Sequence, residues 1–328
     1  QRRRHTDPRL MRDAVRIAVA VPVLLGFAWV SSVVVGAAMA VSHGVAIDTT
    51  LLTQSPAGWT DALVFGLTAL VLLVDRWANG PDMFRNLLAR SRYDLFFAIA
   101  SATGAMTAME VLFSAGLAAW LGETIGTLPS SNIMRAIPFA AQFVILYVMS
   151  NFFDYWAHRF LHTKRMWPIH AMHHAAQEFL SFTTSRVHPL EALVRQTVCA
   201  SGLTLIGFGP DAVFALLVVG SLQDAITHSN APYPRWLEPW IAGPAAHRVH
   251  HSADAAYYNR NFSEFAVWDR LFGTFALPED ARRLPMGVGG VHTPTDNPIA
   301  DMLTAMRLWL RGIAGAFRIP SALITKAN

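Results

Sequence analysis

Eight of the thirteen histidines in this chain fall into three tight groups. His158 and His162 stand at i and i+4. His170, His173 and His174 stand at i, i+3 and i+4, and His247, His250 and His251 repeat that spacing. On a helix, residues three and four apart are neighbours, with Cβ atoms about 5–6 Å from each other. Each group can therefore present its rings to a common point, and Pro168 suits the first turn of a helix carrying His170. At this composition an HxxHH string arises in about two of a hundred such chains, and two copies in roughly a few per ten thousand. Buried for structure alone, so many rings would each need a polar partner. The chemistry that uses such a set is metal ligation. Eight imidazoles exceed the three or four that one zinc takes, so two ions fit better. Imidazole suits zinc, copper, iron and nickel alike, and the spacing does not choose among them. His5, His43 and His292 lie apart and read as ordinary core or surface residues. The single cysteine, Cys199, excludes an internal disulfide framework and any CxxC site.

The elements that must position these groups read as helices in lipid. Hydrophobic residues make up 53% of the chain and charged ones 15%, against about 25% charged in an ordinary soluble domain. Ile17 to Val41 is uncharged and long enough to cross a bilayer. Pro56 to Val74, Leu95 to Leu121 (interrupted by Glu110) and Ile137 to Phe153 are three further candidate spans. Thr197 to Leu222 is split by Gly207, Gly209 and Pro210 and reads as a helical hairpin that enters the membrane and returns. Arg2, Arg3, Arg4, Arg9, Arg12 and Arg16 precede the first candidate, and Arg76, Arg85, Arg90 and Arg92 lie between the second and third. By the positive-inside rule both termini face the cytoplasm, with the histidines gathered on that side. The expectation is an all-α integral, multi-pass membrane protein of about four transmembrane helices plus the hairpin, under a cytosolic, helical, histidine-rich cap. Residues 1–136 form its N-terminal transmembrane region, 137–277 its catalytic domain and 278–328 its tail. In that tail Met302, Leu303, Met306, Trp309, Leu310 and Ile313 oppose Arg307, Arg311 and Arg318. The pattern fits a helix lying in the membrane interface or an ordinary packing helix. Glu110, a charge well inside a candidate span, is flagged as costly there.

The order HxxxH, HxxHH, HxxHH resembles the fatty acid hydroxylase/sterol desaturase superfamily of di-iron enzymes. The flanks strengthen the likeness: Arg186, His188, Pro189 and Glu191 after the second group, His228 and Asn230 closing the hairpin, and Asn261, Phe262 and the run Trp268 to Thr274 after the third. The resemblance covers roughly residues 137 to 277. It implies that His158, His162, His170, His173, His174, His247, His250 and His251 are catalytic iron ligands, with His228 a ninth. His188 is left as a ligand, a ligand's partner or a cap of the hairpin. Asp224 is read first as a partner of His228, with ligand and helix-surface acid as the other readings. Asp154, one turn before His158, is a candidate acceptor for its ring N–H, or a polar residue at the membrane edge.

The resemblance also implies two iron ions (zinc in some purified forms), O2 as co-substrate, and hydroxylation or desaturation of a C–H bond in a lipid taken from the bilayer. Two electrons per turnover must come from a separate donor: a reductase, ferredoxin, cytochrome or reduced pterin. No flavin or haem signature or ferredoxin-type cysteine set is present in the sequence, and no nucleic-acid partner is expected. A zinc protease would want HExxH, which Arg159 breaks. A membrane metal transporter or sensor is the rival outside enzymology. Its sites usually lie near the bilayer midplane, and substrate-dependent O2 consumption separates it from an oxygenase.

Overall fold

The computed structural model describes residues 56–109, 137–204, 210–288 and 297–316, with a few isolated positions elsewhere. Ordered by chain contact, it has two compact units: residues 1–67 with 99–123, and residues 68–98 with 124–328. All nine histidines of interest lie in the second.

The described regular structure is helical. In chain order it comprises α1 (Pro56–Asn79), α2 (Pro81–Arg90), α3 (Arg92–Ala102), α4 (Phe139–Leu161), α5 (Trp167–His174), α6 (Pro189–Thr204), α7 (Pro210–Thr227), α8 (Pro244–His250), α9 (Val267–Leu271) and α10 (Pro298–Ala316), with short 3₁₀ turns between some of them. Proline opens six of these helices, at a position where its missing N–H costs nothing and its fixed φ is already helical. Among the described residues the only β pairing is two isolated bridges, Ile241 with Phe265 and Ser252 with Met286.

The all-α expectation holds, but the transmembrane one is overturned. Among the described residues no helix is long and apolar enough to cross a membrane. Polar groups within or just beside these apolar runs serve contacts inside the protein. In α4, buried Gln142 donates to the Ile137 carbonyl at 2.9 Å, and buried Asn151 accepts from the Phe265 N–H at 3.0 Å. In α1, Asp75 is 2% exposed and accepts from the Asn230 N–H at 3.1 Å. The third candidate span is broken where α3 ends at Ala102 and Gly104 turns into the left-handed region at φ 74, which glycine enters without a steric penalty. The expected hairpin resolves into α6 and α7, of 16 and 18 residues, and these too fall short of a membrane crossing. Ile17 to Val41 lies largely outside the described residues, as do Glu110, His5, His43 and His292. The cytoplasmic, multi-pass placement deduced from the spans falls with them.

What the helices build is a scaffold for two short histidine helices. α4 packs on α6, α7 and α9, while α5 is held between α6 and α10. Leu161, Met166 and Ile169 form one apolar cluster with Leu190, Val194 and Trp309; Tyr93, Phe97 and Met172 form another with Met302. The tail helix α10 thus lends Met302 and Trp309 to the packing around α5, and the Trp309 indole N–H points at the Met166 sulfur at 3.4 Å. An eight-residue helix is too short to hold itself together in water. Here the apolar face of α5 is fixed from two sides.

Candidate metal centre

The histidines reach the centre from four helices. His158 is on α4 and His162 caps its C-terminus, the His162 N–H bonding the His158 carbonyl at 3.2 Å. His170, His173 and His174 are buried on α5. His228 follows α7, while α8 carries His247 and His250 and is capped by His251. The N-terminus of α8 is secured by Glu238, whose carboxylate accepts from the N–H groups of Gly243, Ala245 and Ala246 at 3.3, 3.1 and 2.9 Å. An acidic group there satisfies otherwise orphaned donors and complements the helix dipole. Gly243 itself lies against Tyr233, and a Cβ at this position would run into the ring. We expect Gly243→Ala to destabilise the fold by about 1–3 kcal/mol, read as a lowered denaturant midpoint with an unchanged slope.

The rings form two groups rather than three. His158, His162, His170, His174 and His250 make one, and His173, His228, His247 and His251 the other, with one nitrogen from each ring within 4.8 Å of all others in its group. Each HxxHH motif is therefore divided. Residues i and i+4 serve one group and i+3 the other, and the two helices do so in opposite senses. The expectation that each motif converges on a single point is corrected by helix geometry: consecutive residues are about 100° apart, so i+3 and i+4 diverge enough to address two points. The groups adjoin, with His174 and His251 stacked at 4.2 Å between ring centroids and 21° between planes.

Partners on the outer nitrogens fix which nitrogen points inward. His158 Nδ1 lies 2.7 Å from the Phe262 carbonyl, His250 Nδ1 2.7 Å from that of Arg260, and His228 Nδ1 2.8 Å from that of Asp224. His173 Nδ1 lies 3.3 Å from the Arg186 carbonyl. A carbonyl only accepts, so each of these Nδ1 atoms carries the proton and each Nε2 presents a lone pair. His170 Nδ1 faces the Glu191 carboxyl at 2.8 Å. Inside the groups Nε2 meets Nε2: His158 with His170 at 3.2 Å, His174 with His170 at 3.0 Å, His228 with His173 at 3.2 Å and with His247 at 2.8 Å, and His251 with His247 at 3.1 Å. The Nε2 atoms of His162 and His250 are buried without a hydrogen-bond partner. His173, protonated at Nδ1, aims its Nε2 lone pair into the space that His228 Nε2 also faces. That is the donor set of a cation, and in number and chemistry it fits two metal ions.

Burial pushes His158, His162, His170, His173, His174, His247 and His251 well below the usual imidazole range, reinforced by neighbouring histidines. It brings His250 down to about 4. All eight are held neutral, the form that ligates. Burial pushes the Glu191 carboxyl well above its usual range, and its second oxygen is buried without a partner. Aromatic walls close the site: Phe262 abuts His158, His162 and His250, and Phe179 abuts His228, His247 and His251.

The remaining singled-out residues are placed as follows. Asp154 does not meet His158; it pairs with Arg195 at 2.7 Å, so the expected contact is corrected to the Phe262 carbonyl. His188 belongs to neither group. Its Nδ1 accepts from the Leu190 N–H and its Nε2 faces the Met302 carbonyl, both at 3.1 Å. Asp224 approaches His228 with its carboxylate at 3.4 Å as well as its carbonyl, and also accepts from Thr184. Sequence reasoning missed Glu191 as the partner of His170. The available signal was a lone acid in the first turn of the helix that follows the second histidine group. It also gave no task to Asp269, whose carboxylate binds the N–H groups of Phe262 and Ser263 at 2.8 and 2.9 Å and so holds the carbonyl that anchors His158.

The family model for fatty acid hydroxylases matches residues 143–274. The chain is 32% identical over 157 residues to an ornithine lipid hydroxylase of Rhizobium tropici, covering 47% of each chain. It is 29% identical over 139 residues to a very-long-chain aldehyde decarbonylase of Oryza sativa, covering 41% of this chain and 52% of the relative. It is 28% identical over 139 residues to a Delta(7)-sterol 5(6)-desaturase of Gibberella zeae, covering 42% and 38%. The chain thus spans about half, or less, of the length of these relatives. No solved structure matches it. Every residue of the two histidine groups lies inside the matched segment, and over that segment the chain is similar to the fatty acid hydroxylase family.

Proposed function

We propose that this chain is an O2-dependent lipid oxygenase that holds one iron ion in the five-histidine group and another in the four-histidine group. Residues 137–277 are its catalytic domain, and the reaction is insertion of oxygen into an unactivated C–H bond. The balance is R–H plus O2, two electrons and two protons giving R–OH and water, with the electrons drawn from a separate donor protein or reduced pterin. The observation that carries the reading is the inward convergence of nine imidazoles, five of which (His158, His170, His173, His228 and His250) have the outer nitrogen tied to a carbonyl or a carboxyl. Such outer partners fix ring orientation and raise ligand basicity.

Bound there, the iron pair supplies the activation of O2 that no side chain can provide. The chain's own residues do the rest. Asp269, through the Phe262 backbone, and Glu191 directly keep His158 and His170 aimed inward. Phe179 and Phe262 keep water from the rings. Matches to a lipid hydroxylase, an aldehyde decarbonylase and a sterol desaturase support a lipid as substrate and leave desaturation as the nearest alternative outcome on the same residues.

The test is to purify the chain from iron-replete cells and measure metal content, then O2 uptake and products with ornithine lipid, fatty acyl and sterol substrates under a chemical reductant. We expect about two irons per chain and a product heavier than its substrate by one oxygen, labelled by ¹⁸O2. A product two hydrogens lighter would make the enzyme a desaturase. Two bound metals with no O2 consumption on any lipid would sink the oxygenase reading.

A further inference from the structure

The segment from Arg186 to Glu191, one of the flanks that carry the sequence likeness, touches both histidine groups. Glu191 holds His170 of the five-histidine group, while the Arg186 carbonyl lies 3.3 Å from His173 Nδ1 in the other. The two histidines are three residues apart on α5, and one six-residue stretch reaches both.

What fixes the Arg186 carbonyl lies far away in sequence. Arg186 is the centre of a tight turn, with φ −74 and ψ 71 and the Val187 N–H on the Ser185 carbonyl at 2.8 Å. This is the inverse γ-turn, which carries no side-chain preference strong enough to hold itself. Its side chain makes a buried ion pair with Asp94 of α3, Nε to Oδ1 at 2.6 Å. Arg186 is 5% exposed and Asp94 1%. The guanidinium also lies over the Tyr93 ring at 4.5 Å, and Thr183 donates to the second Asp94 oxygen at 3.1 Å. Burying two charges is expensive, and replacing such a pair with apolar residues is often neutral or stabilising, so stability explains it poorly. It does hold one peptide unit in one orientation.

We propose that Asp94 is a positioning residue for the four-histidine metal group: through Arg186 it fixes the carbonyl that keeps His173 protonated at Nδ1 and turned inward. This rests on the two-metal reading above. Loss of Asp94 acts on one ion, because His170 has its own anchor in Glu191.

The experiment is cobalt(II) binding to the full chain, metal-free at the start, followed by absorption and by competition with a chelator. Wild type is expected to bind two ions. Asp94→Asn should keep one at wild-type affinity and bind the other about 10–100-fold more weakly, the usual cost of losing an outer partner. Arg186→Lys, which keeps the cation and the carbonyl but loses the Nε contact, should fall between. Combining Asp94→Asn with His173→Ala should be no worse than His173→Ala alone, since both act through one ring. Equal weakening of both ions, or losses that add, would assign Asp94 a merely structural role and overturn the proposal. So would wild-type binding in Asp94→Asn. If that variant fails to fold, Arg186→Lys and its cycle with His173→Ala decide by the same criteria. A wild-type chain that binds fewer than two ions would instead defeat the two-metal reading itself.

Discussion

Replacing His170 with alanine is expected to abolish lipid oxidation, leaving less than about 1% of the wild-type rate, and to reduce bound iron from about two per chain to one or fewer. The size follows from position. His170 Nε2 lies within 3.2 Å of the inward nitrogens of both His158 and His174, so it stands at the middle of the five-histidine group. Losing an outer partner of a ligand already costs 10–100-fold, and losing the ligand costs at least as much. The control is His188→Ala, also a histidine of the matched segment but outside both groups. It should retain both irons and give up about 1–2 kcal/mol of stability, from the contacts to Leu190 and Met302. Iron analysis and thermal melting of the two variants separate a ligand from a cap. If His188→Ala lost metal and His170→Ala did not, the grouping itself would be wrong.

How much of this was legible in sequence depends on the range over which each feature is determined. The histidine motifs are local, and helical spacing alone brings the members of each motif together. Their division between two groups is local too, since i+3 and i+4 point in different directions, and a stricter reading of the same geometry would have found it. The Glu191–His170 contact is not local. It requires α6 to cross beside α5, which only the packing of Leu161, Met166 and Ile169 against Leu190 and Val194 decides. Asp154 was the tempting acceptor because it sits one turn before His158, but the rotamer that satisfies Arg195 carries it elsewhere. The membrane spans failed for a related reason. Hydropathy says that a run avoids water, not what covers it. In α4, Leu146 is 1% exposed against Phe208 and Ala212, while the polar Gln142 and Asn151 of the same helix bond to backbone. The helix fits a scaffold around a buried site.

The second large effect is expected at Glu191, and here two substitutions should part company. Glu191→Gln keeps an oxygen where the carboxyl now meets His170 Nδ1 at 2.8 Å, so ring orientation and the stability of the metal-free fold should be preserved to within about 1 kcal/mol. What it removes is a carboxyl able to become anionic beside the ring once a cation is bound, which makes the imidazole a stronger donor. Metal affinity at the five-histidine group should therefore fall about tenfold with little change in the melting temperature of metal-free protein. Glu191→Leu removes the acceptor altogether. It strands a buried N–H at a cost of about 1–3 kcal/mol and frees the ring to turn, so both the metal-free stability and the metal affinity should drop, the latter toward a hundredfold. Chelator competition gives the affinities and melting of the metal-free chains gives the stabilities. Equal metal binding by wild type and both variants would reduce Glu191 to a buried acid without influence on the site. A loss of stability in Glu191→Gln as large as in Glu191→Leu would mean that its unpartnered oxygen, and not the contact to His170, is what the fold depends on.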